Sequence, residues 1–372
     1  MYKRHSICLS ILGMLLCSSL AFAQAPLIEN SFDDNEGVWA SLTPTGKISI
    51  THEKEMLQAG KGALKFDYAI KKGEMNVLTQ PIENKLLAKA KTIQFWVKCD
   101  NSTILTCFLD EKGGGRYMAN LTLPKGKWQK VEFAPEDFSL GDGENDPKDP
   151  NNKLDLEEVE RISITDLAQF FIQGDAGLAD IFQLKEGARV LLLDEFRITE
   201  AELPKAITQK GEILHLDTLV RPQISWIGLG AVSMEKMEGK PLEGQGMEFK
   251  YRQRSMKPAG MAKALPNGAL AKATNIVFRA ASQSAVRLIL QLEEKGGGKY
   301  NAMLEIPEGS KSTEFKVALV DFNPSDDSKD NNNRLDPDQI KQILFIDATG
   351  IFMQVDKENT LWINALGAVI GK

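Results

Sequence analysis

Residues 92–117 return as residues 275–300 without a gap, and this repeat restricts the folds open to the chain more than any other feature. Gly113-Gly114-Gly115-Arg116-Tyr117 lies over Gly296-Gly297-Gly298-Lys299-Tyr300, and Glu111 over Glu294 sets the offset at 183 residues. The same offset runs back through Leu87-Ala-Lys-Ala90 over Leu270-Ala-Lys-Ala273, to Phe66 and Tyr68 over Phe249 and Tyr251. Downstream, with small slips, Asp137-Phe138 lies over Asp321-Phe322, Asn152-Lys-Leu-Asp155 over Asn333-Arg-Leu-Asp336, and Asp166 over Asp347. Trp39 and Trp226 stand near the two starts. So long a period means two whole domains and not the short units of a solenoid. The expected division is residues 24–203 and 204–372, joined where Pro204 and Gly211 bracket a polar linker.

Alternation of period two dominates each copy. Ile93, Phe95 and Val97 alternate with Gln94, Trp96 and Lys98, and Ile276, Phe278 and Ala280 repeat the apolar positions. That is the mark of half-buried strands. Leu105, Cys107 and Leu109 point one way on the next strand, as do Tyr117, Ala119, Leu121 and Leu123 after a glycine hairpin whose residues supply positive φ. Asp155 is expected to cap a short helix over 156–161, and Asp336 a helix that opens with Pro337. The fold class is therefore all-β: two tandem β-sandwich domains, each with one short helix.

The N-terminus predicts that these domains are exported from the cytoplasm. Lys3 and Arg4 precede an apolar stretch from Ile7 to Leu20, followed by Ala21-Phe22-Ala23. This pattern predicts a signal peptide over residues 1–23 and a secreted or periplasmic product, because the apolar run is shorter than the roughly 20 residues of a spanning helix. A lipid anchor on Cys17 is disfavoured by the bulky Leu15-Leu16 before it. The first 23 residues hold two basic side chains and no acidic one, so the net charge of −6 becomes −8 beyond them. That sign argues against nucleic acid and anionic membrane surfaces as partners. Cys99 and Cys107 are the cysteines remaining there, too few for a disulfide-built scaffold. Since Ser282 and Leu290 stand at their places in the second copy, the fold requires no bridge between them.

The order of these pieces resembles the galactose-binding-like jelly rolls found as carbohydrate-binding modules. The resemblance rests on Phe32-Asp-Asp with Trp39, Gln94-Phe-Trp-Val-Lys98, the glycine hairpin, Trp128 with Val131 and Phe133, Asp137-Phe138, Asn152-Lys-Leu-Asp155 and Leu193-Asp-Glu-Phe-Arg-Ile198. It covers nearly all of the first copy and most of the second. It implies a jelly-roll fold and a glycan partner, and it implies a structural Ca2+ held between the first and last strands by Glu29, Asp33, Asp34 and Asp194. The second copy departs from the pattern, with Arg279 for Trp96 and Asn364 for Asp194.

Strand alternation places Trp96, Phe108, Asp110, Arg116 and Asn120 on faces turned away from the core. An aromatic ring can stack on a sugar's C–H surface while planar polar groups bond its hydroxyls, so these five are the expected ligand-binding residues. The alternative is that such faces meet protein or are covered by a loop. The acidic run 142–155, which recurs at 326–336, misses the EF-hand spacing and reads as a turn. Catalysis is poorly supported: His52 and His215 stand at dissimilar positions in the two copies, and Ser233-Met-Glu-Lys236 lacks the companion motifs of a Ser-x-x-Lys enzyme. The expected function is a secreted, non-catalytic glycan-binding protein, with a structural interaction module and a carbohydrate-active enzyme as alternatives.

Overall fold

A computed structural model describes residues 25–141, 146–174, 184–221, 224, 226–229 and 232–371. The expected signal peptide and residues 142–145 of the acidic run lie outside these. In chain order the first strands are β1 (Ile28–Asn30), β2 (Ala40–Ser41), β3 (Lys47–Thr51), β4 (Ala63–Ile70), β5 (Val77–Pro81) and β6 (Thr92–Cys99). They are followed by β7 (Thr103–Glu111), β8 (Arg116–Leu123), β9 (Gln129–Phe133), β10 (Ser139–Leu140), β11 (Val159–Asp166) and β12 (Gly187–Thr199). One antiparallel sheet has the order β3-β4-β12-β6-β9, with β1 also on β12, and the other β10-β8-β7-β11-β5-β2.

The period-two pattern is what makes these strands a sandwich. Phe95 and Val97 of one sheet and Leu105, Cys107, Leu109, Tyr117 and Leu121 of the other belong to one buried cluster. Phe196 of β12 is fully buried in it, edge-on to Trp39 with ring centroids 5.1 Å apart and stacked on Phe95 at 6.0 Å. Such close-packed interiors convert loss of one large side chain into several kcal/mol.

The second set is β13 (Thr208–Lys210), β14 (Ile213–His215), β15 (Trp226–Leu229), β16 (Ser233–Glu238), β17 (Gln245–Arg254), β18 (Ala259–Ala264) and β19 (Ala273–Ser282). It continues with β20 (Val286–Glu294), β21 (Lys299–Ile306), β22 (Gly309–Ala318), β23 (Asn323–Pro324), β24 (Ile340–Asp347) and β25 (Asp356–Ile370). Its sheets repeat the first pair: β16-β17-β25, with β19 and β22 beyond β25, faces β15-β18-β24-β20-β21-β23. A separate buried cluster, with Phe249, Phe278, Leu290 and Phe345, fills the space between them. The sequence repeat is thus a repeat of strand pairing, and the molecule is two tandem all-β sandwiches of jelly-roll type.

Repeated polar residues make the same bonds in both copies. Tyr68 donates to Asp166 Oδ2 at 2.8 Å and Tyr251 to Asp347 Oδ2 at 2.7 Å, each deep in its domain. Burial raises the Asp166 carboxyl above its ordinary pKa, against the bonds from Thr103 and Tyr68 that favour the charged form. Short α-helical turns follow these aspartates, α1 (Ala168–Gly174) and α2 (Thr349–Phe352). The helices expected at 156–161 and after Asp336 are instead single 3-10 turns, Leu156–Glu158 and Pro337–Gln339, and neither aspartate side chain caps its turn. The strands resume at once because Val159 and Ile340 are needed in the cores.

Asp155 and Asp336 belong to a different device, present twice. Glu111 folds back over the glycine hairpin and its Oε1 accepts the Asp155 amide at 2.5 Å, while Glu294 Oε1 accepts the Asp336 amide at 2.5 Å. A Cβ on Gly115 would lie 2.8 Å from Glu111 Oε2, and one on Gly298 would lie 2.2 Å from Glu294 Oε2. The third glycine of each hairpin therefore provides room for a carboxylate. Tyr117 donates to Asp149 and Tyr300 to Asp330, and each of these aspartates takes a main-chain amide four residues on, from Lys153 at 2.9 Å and Arg334 at 3.0 Å. The acidic loops are pinned down by their own acids.

The domains touch through specific bonds. Thr122 of β8 donates to the Trp226 carbonyl of β15 at 3.2 Å, Lys127 meets Glu235 at 2.6 Å, and Arg221, 3 % exposed, reaches Asp137 and the Glu132 carbonyl.

Candidate functional site

The sheet containing β7, β8 and β11 turns three cross-strand rows of side chains away from the core. Register places Arg161, Asp110 and Arg116 directly opposite one another in the first row. The second row is Thr79, Ser163, Phe108 and Met118, and the third Val77, Thr165, Thr106 and Asn120. Ladder spacing brings such neighbours within side-chain contact. Asp110, Thr79, Thr106, Ser163 and Thr165 are all buried although they face outward.

A buried polar group needs a partner, and each of these has one. Asp110 Oδ1 accepts from Arg116 Nε at 2.7 Å and Oδ2 from Arg161 Nε at 3.0 Å. Thr106 donates to Asn120 Oδ1 at 2.7 Å, and the Thr79 and Ser163 hydroxyls are 3.1 Å apart. Thr165 donates to the Asn76 carbonyl at 2.9 Å, beside Gln169 of α1. The Arg116 guanidinium lies over the Phe108 ring, 5.4 Å from its centroid. The result is a fixed polar surface in which the Asn120 amide group and the ends of two arginines face outward.

Of the five residues expected to bind ligand, this face holds Phe108, Asp110, Arg116 and Asn120. Trp96 is elsewhere: it lies on β6 in the opposite sheet, so the core separates it from the other four. The 53–62 loop crosses its face, with the Glu55 carbonyl accepting from Lys98 Nζ at 3.0 Å. Phe108 is only 7 % exposed and offers no open ring for stacking. Alternation reveals that a residue points outward but not which sheet it is on or what crosses above it. Arg161, Ser163 and Thr79 escaped notice for the same reason, since β5 and β11 are joined to β7 by pairing that no local pattern specifies.

The corresponding rows of the second domain are Gln342, Glu293, Lys299; Ala262, Leu344, Gln291, Asn301; and Gly260, Ile346, Ile289, Met303. Four hydroxyl side chains of the first domain are thus replaced by Ala262, Leu344, Ile346 and Ile289. The hydroxyl rows belong to the first domain, while the second keeps the bonds from Gln291 to Asn301 and from Gln342 to Glu293.

Of the residues expected around calcium, Glu29, Asp33 and Asp194 are engaged otherwise, and Asp34 is exposed. Glu29 pairs with Arg197 at 2.8 Å, and Asp33 takes the Lys61 and Gly62 amides, which hold its carboxyl below the usual range. Asp194 Oδ2 accepts the Gln58 and Ala59 amides, both at 3.0 Å, while its Oδ1 is buried without a partner and burial raises its pKa. A calcium ion needs six to eight oxygens facing one point. Among the described residues no group of three or more His, Cys, Asp or Glu has a metal-holding arrangement.

A concavity of about 440 Å³ lies where the domains meet, lined by Ile104, Thr122, Leu167, Phe171, Val232 and Met234 among others. Its lining is mostly apolar and includes none of the side chains of the three rows. Cys99 and Cys107 are buried free thiols, and burial pushes the Cys99 thiol up to about 12. Of the two histidines in the domains, His52 meets the Lys61 carbonyl at 2.8 Å in the first, and His215 is on β14 in the second.

No protein-family model matches the chain, and no curated protein matches it in sequence. Solved structures similar to it include a tandem of two family 22 carbohydrate-binding modules from Paenibacillus barcinonensis. That likeness has 14 % identity, spans 95 % of this chain and 100 % of the other, and has a TM-score of 0.30. A family 11 carbohydrate-binding module of a Clostridium thermocellum cellulosomal cellulase is 19 % identical over 40 % of this chain and 88 % of its own, with a TM-score of 0.33. An exo-β-agarase is 14 % identical over 49 % of this chain and 26 % of its own, with a TM-score of 0.34.

Proposed function

We propose that the chain is an exported, non-catalytic saccharide-binding protein whose binding face is the outer surface of β5, β7, β8 and β11 in the first domain. The observation that carries this is the outward amide of Asn120 and the outward guanidinium ends of Arg116 and Arg161, each held in place by a buried polar neighbour, Thr106 or Asp110. Sugar hydroxyls both donate and accept, and a surface whose side chains are already oriented bonds them without the entropy cost of ordering. Binding on this face rests on hydrogen bonds, because the Phe108 ring is under Arg116.

Retention of the full chain on a panel of immobilised polysaccharides tests the reading. Asn120→Ala, which removes an outward amide and leaves the strand intact, is expected to weaken retention about tenfold. If the wild type is retained by no polysaccharide in the panel, the proposal is wrong.

A further inference from the structure

Two arginines converge on one carboxylate, and this arrangement says which saccharides the face selects. Asp110 is 6 % exposed and uses both oxygens on the Nε hydrogens of Arg116 and Arg161. Each arginine is bonded by the inner edge of its guanidinium, and about a third of each side chain remains exposed. The terminal nitrogens of Arg161 carry no hydrogen bond among the described residues, and Arg116 Nη1 lies 3.9 Å from Asp146 Oδ1. Arg116 is held further by the Phe108 ring beneath it. A planar guanidinium fixed along one edge presents its remaining N–H groups as a fork for an oxyanion, and two of them, on the strands that flank β7 and bonded to the same carboxylate, make a receptor.

We propose that this receptor takes the oxyanion of an acidic saccharide, a ring carboxylate or a sulfate ester, while the outward amide of Asn120 meets the sugar hydroxyls. The inference rests on the face being a saccharide site. The second domain supplies an internal comparison: Gln342 stands at the place of Arg161 and bonds Glu293 at 2.6 Å, so the fold accepts glutamine there. The rest of the molecule repels polyanions, since the net charge beyond residue 23 is −8. Retention on an acidic polymer therefore reports a built site and not a general attraction.

The test compares the full chain on polygalacturonate, on a sulfated galactan and on a neutral galactan, with Arg161→Gln, Arg161→Lys and, as a remote control, Arg279→Gln. Retention at least about tenfold stronger on one acidic polymer than on the neutral one is expected, and the polymer that wins tells carboxylate from sulfate. Arg161→Gln is expected to abolish that preference and leave circular dichroism unchanged, Arg161→Lys to keep part of it, and Arg279→Gln to keep all of it. Equal retention on neutral and acidic polymers, or a preference unchanged in Arg161→Gln, overturns the inference and leaves the saccharide reading standing. Retention on none of the three overturns the inference, and the saccharide reading is then decided by the wider panel.

Discussion

Asp194 and Asn364 show how much one atom changes at a single position of the repeat. Asn364 donates from Nδ2 to the Glu243 carbonyl at 2.8 Å whereas Asp194 accepts two main-chain amides, and each keeps one buried oxygen without a hydrogen-bond partner among the described residues. Burial lifts the Asp194 pKa above 3.8, with the Ala59 and Gln58 amides opposing it. For a carboxyl raised in the folded state the charged form is the penalised one, so the penalty is full at neutral pH and fades as pH falls through the folded pKa toward 3.8. Asp194→Asn is expected to stay within about 1 kcal/mol of wild type at neutral pH, since it keeps an acceptor for both amides. The wild type should then gain on the variant as the solution is acidified, and excess chelator should move neither curve. Urea unfolding at several pH values measures this; a variant far less stable at neutral pH, with a gap that closes in acid, would mean that the carboxylate serves a bound cation.

At the scale of elements, the hairpin and the acidic loop form one unit through Glu111, Tyr117, Asp149 and Asp155. The hydrogen bond from Tyr117 lowers the Asp149 pKa, and burial raises the Tyr117 hydroxyl well above its ordinary value. Tyr117→Phe keeps the ring in the core and removes only this bond, so a loss of about 1 kcal/mol is expected, with Tyr300→Phe giving a similar loss in the second domain. Unfolding midpoints check it, and no change in either would show that the loop is held without the tyrosine. The repeat made this unit visible in the sequence as Gly-Gly-Gly-Arg-Tyr and Asn-Lys-Leu-Asp, but not its purpose. Positive φ explains both Gly114, at +104°, and Gly115, at +105°, and Gly115 is needed also because Glu111 occupies the space where a side chain would stand. Likewise an aspartate before Leu156-Glu-Glu158 resembles a helix cap, and only the pull of Val159 into the core turns that segment into a strand after three residues. Strands were legible because burial on one face imposes a period of two. The sheet each strand joins was not, because pairing across 50 or more residues, as between Asp110 and Arg161, leaves no local trace.

For the whole molecule, the two copies preserve their cores, clasps and buried Tyr–Asp bonds while their outer faces diverge. The first domain carries hydroxyls and paired arginines on the sheet where the second carries Ala262, Leu344, Ile346 and Ile289. Phe108, Asp110, Arg116 and Asn120 were legible as outward residues of neighbouring strands, and Trp96 was grouped with them because alternation cannot tell one outer face from the other. Hydrogen–deuterium exchange of the full chain, with and without saturating amounts of the polysaccharide that retains it best, tests the placement directly. Added protection is expected in β7, β8 and β11 around Thr106, Phe108, Asn120 and Ser163, with the second domain and the Trp96 face unchanged. Protection confined to the second domain or to the strands around Trp96 would contradict the account.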